Sequence, residues 1–201
     1  FNRLERTANF PPSVQSEAGR EAVKQWLWNH GGDPNYPGGG ICGIGVASAC
    51  TQGSIPVTDA HKAAGVSGMK YVVKWGKQVD HALTIVGYDD RIEFDLDGNG
   101  IAGEKDKDEV GAWIIVNSWG NWANKGFIYC PYKNAMTTET SYSYYAPEVY
   151  YIRRNYRPLR TMRVKMDYSK RSELRLGAGI SEDLNATEPS KSIYFEGFKF
   201  A

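Results

Sequence analysis

The sequence lacks long apolar runs and any excess of charge of one sign. Its longest apolar stretches, such as Ala112–Val116, are far shorter than the roughly 20 residues that a membrane-spanning helix needs, so we expect no membrane span. Lys and Arg number 24 against 23 Asp and Glu. The resulting net charge of +1 gives no reason to expect nucleic acid as a partner.

Cysteine is also scarce in this chain. The three cysteines, Cys42, Cys50 and Cys130, cannot all pair with one another, which argues against a disulfide framework but leaves one bridge open. Because free cysteine is among the most buried residue types, we predict three buried or half-buried thiols.

The two ends of the sequence predict a processed chain or a fragment. Phe1 stands where a Met would begin a complete reading frame, and no charged and apolar leader follows it. Ala201 follows alternating apolar and polar residues with no closing turn. We therefore expect that the native protein is longer.

Aromatic residues are abundant, at 13% of the chain, which suits a globular protein rich in strands. Apolar residues at helical spacing predict a helix over Glu17–His30, ended by two glycines. Runs of β-branched or aromatic residues between Gly, Asp or Asn residues predict strands. These strands are Ile41–Ala49, Lys70–Trp75, Ala82–Tyr88, Ala112–Asn117 and Gly126–Tyr132. Thr51–Ser67 is expected as a loop with a short helical turn.

A change in composition predicts a second module. Ala135–Ala146 is rich in Ser, Thr and Tyr and is interpreted as a linker. Three further strands are predicted at Leu159–Tyr168, Ser172–Ile180 and Ser192–Phe200. We therefore expect an α+β domain over residues 1–147, followed by the start of an all-β, sandwich-like module over residues 148–201.

Two segments carry the chemistry. The first, Val79–Tyr88, reads VDHALTIVGY, and the second, Ala112–Gly120, reads AWIIVNSWG and is followed by Trp122 and a Gly-Phe-Ile strand. Together they resemble the paired signatures of the papain family of cysteine peptidases. The resemblance implies the right, β-barrel-like antiparallel lobe of that fold, over roughly Glu17–Tyr132.

The resemblance also implies roles for individual residues. His81 is the expected general acid and base, and Asn117 is expected to orient its ring. Trp119 is expected to shield the His–Asn hydrogen bond from water. Trp122 is expected in the same aromatic wall, and Asp80 beside His81 near the substrate cleft. His30 and His61 lack this sequence context and are interpreted as structural.

The nucleophile of such an enzyme is not found in this sequence. In the family it lies roughly 130–150 residues before the His, but only 80 residues precede His81. Neither Cys42 nor Cys50 has the family's flanking residues, and Cys42 matches the strand before the His strand better. We therefore expect an N-terminal lobe carrying the Cys to lie upstream, and the isolated chain to be inactive.

An acidic insertion over residues 89–109 separates the two segments. Its spacing fits a calcium loop, with a glycine at the sixth position to allow a sharp turn. The predicted ligands are Asp95, Asp97, Asn99, Ile101 through its carbonyl, and Asp106. Glu104, Asp108 and Glu109 are competing acids. A solvated acidic turn is the alternative interpretation.

The sequence thus predicts a cysteine-type peptidase, acting on peptide or protein substrates through an acyl-enzyme, with structural Ca²⁺. Residues 149–201 resemble a small β-sandwich found on secreted bacterial peptidases, and the calcium loop favours a secreted, periplasmic or surface location. Two alternatives stay open. One is an inactive papain-like binding or scaffold module, and the other is a calcium-stabilised adhesion or carbohydrate-binding β protein.

Overall fold

The structure is a computed structural model that describes residues 3–9, 16–36, 38–77, 79–135, 148–153, 157, 161, 163–170 and 173–195. Contacts between residues divide it into two compact units, 1–156 and 157–201. Within the described residues, no helix is both long and apolar enough to cross a membrane.

The first unit contains both helices and strands. Its strands are β1 (Arg3–Asn9), β2 (Cys42–Val46), β3 (Thr51–Ser54), β4 (Lys70–Lys74), β5 (His81–Glu93), β6 (Val110–Val116), β7 (Phe127–Pro131) and β8 (Glu148–Arg153). Its α-helices are α1 (Glu17–Asn29), α2 (Asp59–Ala63) and α3 (Tyr132–Ala135). Two 3-10 turns cover His30–Gly32 and Lys105–Lys107.

The eight strands that the structure describes in this unit join one sheet in the order β1-β8-β2-β5-β6-β7-β4-β3. Every neighbouring pair is antiparallel except β4 and β7, which meet in parallel at Tyr71 and Tyr129. The fold is therefore mixed α+β with a large, mostly antiparallel sheet, consistent with the fold that the sequence resemblance implied.

The central pair of strands, β5 and β6, brings distant residues together. Thr84 lies opposite Val116 and Glu93 lies opposite Val110. Because the two strands are antiparallel, the start of β5 at His81 and the residue after β6, Asn117, lie at the same end. The chain that links the two strands leaves and returns at the opposite end.

Helix α1 follows the predicted pattern and anchors one flank of the unit. The Ser16 hydroxyl oxygen accepts a hydrogen bond from the Gly19 N–H at 3.1 Å and caps the first turn. The Trp26 indole N–H donates to the Ile41 carbonyl at 3.0 Å. The helix ends at Asn29, because His30 adopts a left-handed conformation with φ of 53°.

Two groups of buried side chains form the core. The larger group lies along β2, β5, β6 and β7 and includes Trp26, Trp75 and Trp113. The smaller group contains Ile55, Val66, Ile92, Phe94 and Ala112. Ile92 and Phe94 tie the beginning of the acidic insertion into this second group, so the insertion is anchored and is not a wholly solvated turn.

Several elements differ from those predicted. β5 extends five residues beyond Tyr88, because Ile92 continues the burial of the strand. Residues 51–67, expected as a loop with one helical turn, contain strand β3 and helix α2. The sequence had assigned β8 to the second module, but its pairing with β1 and β2 places it in the first unit.

The second unit, described by itself, is a two-stranded antiparallel sheet. Its strands are β9 (Gly177–Ile180) and β10 (Lys191–Tyr194). The described part of the predicted strand Leu159–Tyr168 forms no strand, and residues 196–200 of the last predicted strand lie outside the description. None of the described residues of this unit is buried, so the predicted sandwich module is not confirmed.

Candidate functional site

His81 and Asn117 meet at one end of the β5–β6 pair. His81 begins β5, and Asn117 follows the last residue of β6. The His81 Nε2 atom lies 3.1 Å from the Asn117 Oδ1 atom. Because an amide oxygen can only accept, Nε2 carries the proton in the neutral ring, which leaves Nδ1 as the acceptor nitrogen. Nδ1 has no hydrogen bond to any residue that the structure describes.

Trp119 covers this pair from one side. Its ring stacks on the His81 ring with the centroids 4.6 Å apart and the planes 21° apart. Its backbone N–H points to the Asn117 Oδ1 atom at 3.4 Å, while the residue itself is 49% exposed. The His–Asn hydrogen bond therefore lies under an aromatic ring whose outer face is open.

A tight turn after β6 fixes these side chains. The Asn117 N–H donates to the Gly126 carbonyl at 2.8 Å, and the Gly126 N–H donates to the Trp122 carbonyl at 2.7 Å. Gly126 has φ of +92°, a conformation that favours glycine. Trp122, expected in an aromatic wall, is half-buried in this turn and packs against the larger core.

Asp80 forms a clamp between β2 and β5. Its carboxylate accepts the Ser48 backbone N–H at 2.7 Å and the Ser48 hydroxyl at 3.0 Å. These two donors, the backbone N–H first, hold the pKa of Asp80 below its ordinary value. Asp80 is exposed and directly precedes His81, so the clamp fixes the backbone from which the imidazole extends.

Cys42 and Cys130 are not placed to act with His81. Val46 lies opposite His81 and Cys42 opposite Ile85, so Cys42 is about 13 Å along the strand from the imidazole. Cys130 lies opposite Trp113, itself opposite Tyr88, about 23 Å from the level of His81. All three thiols are free, two buried and one half-buried, as predicted.

The thiols are also chemically unsuited to nucleophilic attack. Burial raises the pKa of Cys42 to about 12, and burial raises the pKa of Cys130 to about 12 as well. Burial likewise raises the pKa of the half-buried Cys50. Since only the thiolate attacks well, these environments leave the three sulfurs protonated at neutral pH.

His61, interpreted as structural, is fully bonded in the interior. It is 2% exposed, its Nδ1 lies 2.9 Å from the Pro56 carbonyl, and its Nε2 accepts the Glu93 N–H at 3.1 Å. Nδ1 therefore bonds the segment just before α2, and Nε2 joins α2 to the end of β5. The fully bonded ring of His61 contrasts with that of His81, whose Nδ1 atom has no hydrogen bond to a described residue.

The acidic insertion folds round three carboxylates. One oxygen from each of Asp95, Asp97 and Glu109 lies within 4.8 Å of the others. Asp106, predicted as a ligand, is exposed on the 3-10 turn and is not a member of this group. Asn99 lies in the same loop, where its Oδ1 atom accepts the Ile101 N–H at 2.7 Å.

Sequence reasoning missed Ser48 and Lys107 and gave Glu109 only as a competing acid. Ser48 could have been predicted, because antiparallel pairing of β2 with β5 brings the residues that follow β2 close to Asp80. Glu109 had a weaker signal, since it directly precedes an apolar strand and is 0% exposed in the fold. For Lys107, which pairs with Asp97, the spacing of charges alone carried no signal.

Comparison with known proteins bears on this site. Residues 51–148, just under half of the chain, match the family model described as papain family cysteine protease. The matched region runs from β3 to the first residue of β8 and contains both His81 and Asn117. Together with the α+β fold, the match supports a papain-like cysteine peptidase, a hydrolase whose substrates are proteins. Searches among curated proteins and among solved structures gave no match.

Proposed function

We propose that this protein supplies the proton-handling half of a papain-like cysteine peptidase site. His81 is the general acid and base, and Asn117 is the residue that positions it. The observation that carries the proposal is the 3.1 Å contact from His81 Nε2 to Asn117 Oδ1. It leaves Nδ1, the acceptor nitrogen, without a partner among the described residues, as a base awaiting a thiol requires.

The proposed chemistry uses both nitrogens of the ring. Nδ1 takes the proton from a cysteine thiol, and the thiolate forms a bond to the carbonyl carbon of the peptide. The imidazolium then gives its Nδ1 proton to the departing amine, which leaves an acyl-enzyme. Water, deprotonated by the same nitrogen, attacks the acyl carbon, the C–S bond breaks to release the carboxylic acid product, and the imidazolium returns its proton to the departing thiolate. The Nε2–H bond to Asn117 persists throughout and keeps Nδ1 facing the sulfur.

The thiol in this scheme belongs to a cysteine outside this chain, on the missing N-terminal lobe. Cys42 and Cys130 are remote from His81, and burial raises the pKa values of both thiols to about 12. Burial also raises the pKa of Cys50, which is half-buried in the segment between β2 and β3. The peptide substrate would then lie between the two lobes, beside the exposed face of Trp119.

The proposal is tested on the full-length protein and on the 201-residue chain with a fluorogenic peptide. We expect the full-length protein to turn over substrate and His81→Ala to lower kcat about 10²- to 10⁴-fold, the range for a general acid–base residue. His61→Ala is not a suitable control, because it removes a core contact. His30→Ala, at the end of α1, should leave kcat unchanged once folding is verified by circular dichroism.

The 201-residue chain should show no turnover. Turnover by this chain that Cys42→Ala abolishes would overturn the assignment of the thiol to another lobe. Full activity of His81→Ala in the full-length protein would overturn the proposal as a whole.

A second candidate is a catalytically inactive papain-like module that binds peptides or acts as a scaffold. The observation that favours it is that Cys42 and Cys130 lie far along their strands from His81 and that burial raises the pKa of all three thiols. One measurement distinguishes the two functions, namely covalent modification of the full-length protein by a peptidyl epoxide. Covalent labelling that requires His81 favours the peptidase, and peptide binding without labelling or turnover favours the inactive module.

We place the protein outside the cytoplasm, as a secreted, periplasmic or surface protein of the bacterial kind. The acid-rich loop of residues 95–109 supports this location, because calcium loops of modest affinity fill where calcium is abundant. Fractionation of cells that produce the protein, followed by immunoblotting, tests the location. Recovery in the cytoplasmic fraction alone would contradict it.

A further inference from the structure

The acidic loop at the far end of the β5–β6 pair contains the ingredients of a metal site. One carboxylate oxygen from each of Asp95, Asp97 and Glu109 lies within 4.8 Å of the others. We propose that these residues bind Ca²⁺, that Glu109 and not Asp106 supplies the closing carboxylate, and that the Lys107 ammonium is a tethered cation that the ion displaces.

Glu109 gives the strongest reason to expect an ion. It is 0% exposed, and its Oε1 atom accepts the N–H groups of Leu96 at 2.8 Å and Asp97 at 3.3 Å. Its Oε2 atom is buried and has no hydrogen-bond partner in the described part of the chain. A buried, unpartnered carboxylate oxygen is costly to leave without compensation. A divalent cation held by the same group of acids would provide that compensation.

The loop backbone is already wrapped as a calcium loop requires. The Asp95 Oδ1 atom accepts the N–H groups of Gly98 at 2.8 Å and Asn99 at 3.1 Å, and its Oδ2 atom accepts the Gly100 N–H at 2.8 Å. Gly100 has φ of +88°, which a side chain would strain. Calcium takes six to eight oxygen ligands. The Asn99 amide oxygen and the Ile101 carbonyl, at the spacing of such loops, would add to the three carboxylates.

Lys107 places a positive charge against the same acids. Its Nζ atom lies 2.7 Å from the Asp97 Oδ2 atom and 2.8 Å from the Glu104 Oε2 atom. An ammonium is a compact charge on a flexible stem, and so it neutralises carboxylates and also leaves them readily. Calcium binding to Asp97 would therefore require Lys107 to move away, and the lysine would keep the loop folded when calcium is scarce.

The site acts on structure and not on the reacting atoms. Glu109 directly precedes β6, and Phe94, which follows β5, donates its N–H to the Glu109 carbonyl at 2.9 Å. Those strands carry His81 and Asn117 at their other ends. An ion at Glu109 would thus stabilise the link between the two strands, whether or not the peptidase proposal holds.

Isothermal titration calorimetry of the protein with CaCl₂, and separately with MgCl₂, tests the ligand set. We expect calcium to bind more tightly than magnesium, Glu109→Gln to weaken calcium binding at least about tenfold, and Asp106→Asn to change it less than about threefold. Asp97→Asn, at an exposed position, should also weaken binding at least about tenfold and covers the case in which Glu109→Gln does not fold.

The result that would overturn the ligand set is loss of binding in Asp106→Asn with retention in Glu109→Gln or Asp97→Asn. Absence of any calcium heat, with a melting temperature unchanged by chelator, would overturn the site itself. Equal affinity for magnesium would overturn its assignment to calcium.

A matched pair of variants tests whether the Lys107 ammonium competes with calcium for the loop carboxylates. Lys107→Gln removes the paired ammonium, and Lys105→Gln removes the same charge two residues away on the exposed side of the turn. We expect Lys107→Gln to tighten calcium binding several-fold and Lys105→Gln to change it by less than about half as much. Equal effects of the two variants would show that only net charge matters and would overturn the tethered-cation assignment.

Discussion

The two ends of the β5–β6 pair carry polar groups that are held in different ways. At one end His81 and Asn117 are joined side chain to side chain under the Trp119 ring. At the other end the carboxylates of Asp95 and Glu109 are held mainly by backbone N–H groups. One end therefore has a ring nitrogen with no hydrogen bond to a described residue, and the other has carboxylate groups fixed by the backbone.

The two ends differ because a base that transfers protons and a site that holds a cation need different kinds of support. A base that shuttles a proton must keep one nitrogen free, so its support comes from a single side chain and a stacked ring. A cation site must hold several oxygens at fixed distances, so a rigid backbone supports it. Because the same two strands connect both ends, a substitution at one end tests whether the structure of the other end depends on it.

The largest expected effect is on the packing of Phe94, at the end of the β5–β6 pair that carries the acidic loop. Phe94→Ala should lower the free energy of unfolding by about 3–5 kcal/mol, because it empties a wholly buried aromatic site in the smaller core. Phe127→Ala is the matched control, since Phe127 is 44% exposed at the start of β7. Urea unfolding measures both. Equal losses would show that the loop end is not specially anchored to the core.

The second-largest effect is expected at the end of the β5–β6 pair that carries His81 and Asn117. Asn117→Ala should lower the free energy of unfolding by only about 1 kcal/mol, the net worth of one hydrogen bond. It should also release the His81 ring from its Nε2–H tautomer, which imidazole ¹⁵N NMR detects. His61 is the control within the same spectrum, because both of its nitrogens stay bonded. An unchanged His81 spectrum would mean that Asn117 does not orient the ring.

The smallest expected effect is a dependence on pH at the Asp80–Ser48 clamp. Since the pKa of Asp80 is lowered in the fold, its ionised form contributes stability above the ordinary pKa of about 3.9, and this contribution is lost as pH falls through the lowered value. Asp80→Asn should therefore lower the melting temperature at pH 7, with the difference from wild type shrinking between about pH 5 and pH 2.

Asp59→Asn, at an exposed position of α2, is the control for the loss of one carboxylate. If its pH dependence matches that of Asp80→Asn, the Ser48 contacts do not stabilise the charged carboxylate.

Local sequence patterns predicted much of the fold. Helix α1 and strands β2, β4, β6 and β7 lie within one to three residues of the predicted bounds, because burial on one face leaves a clear periodicity. Strand β3 and the extension of β5 were not predicted, and α2 was expected only as a short helical turn. Their residues are polar, and their bounds depend on pairing and on the second core. Strand β8 was predicted as part of the wrong unit, because only its partners β1 and β2 show where it belongs.

The candidate site shows the same division. The pairing of His81 with Asn117 was expected from the resemblance of the two segments that contain them to the papain-family signatures. The calcium-loop spacing indicated Asp95 and Asp97, but it indicated Asp106 where the fold brings in Glu109. Counting along a loop assumes that the chain turns evenly, and the 3-10 turn at Lys105–Lys107 breaks that assumption.

The sequence by itself determined which residue types are present and which short segments form strands, because side-chain periodicity and hydrogen-bonding groups are local properties. Only the tertiary structure decided that Nδ1 of His81 faces away from Asn117, that Cys42 is too far along its strand to serve it, and that Glu109 lies buried among the loop acids. Those outcomes depend on strand register and burial, which residues far apart in the sequence set together.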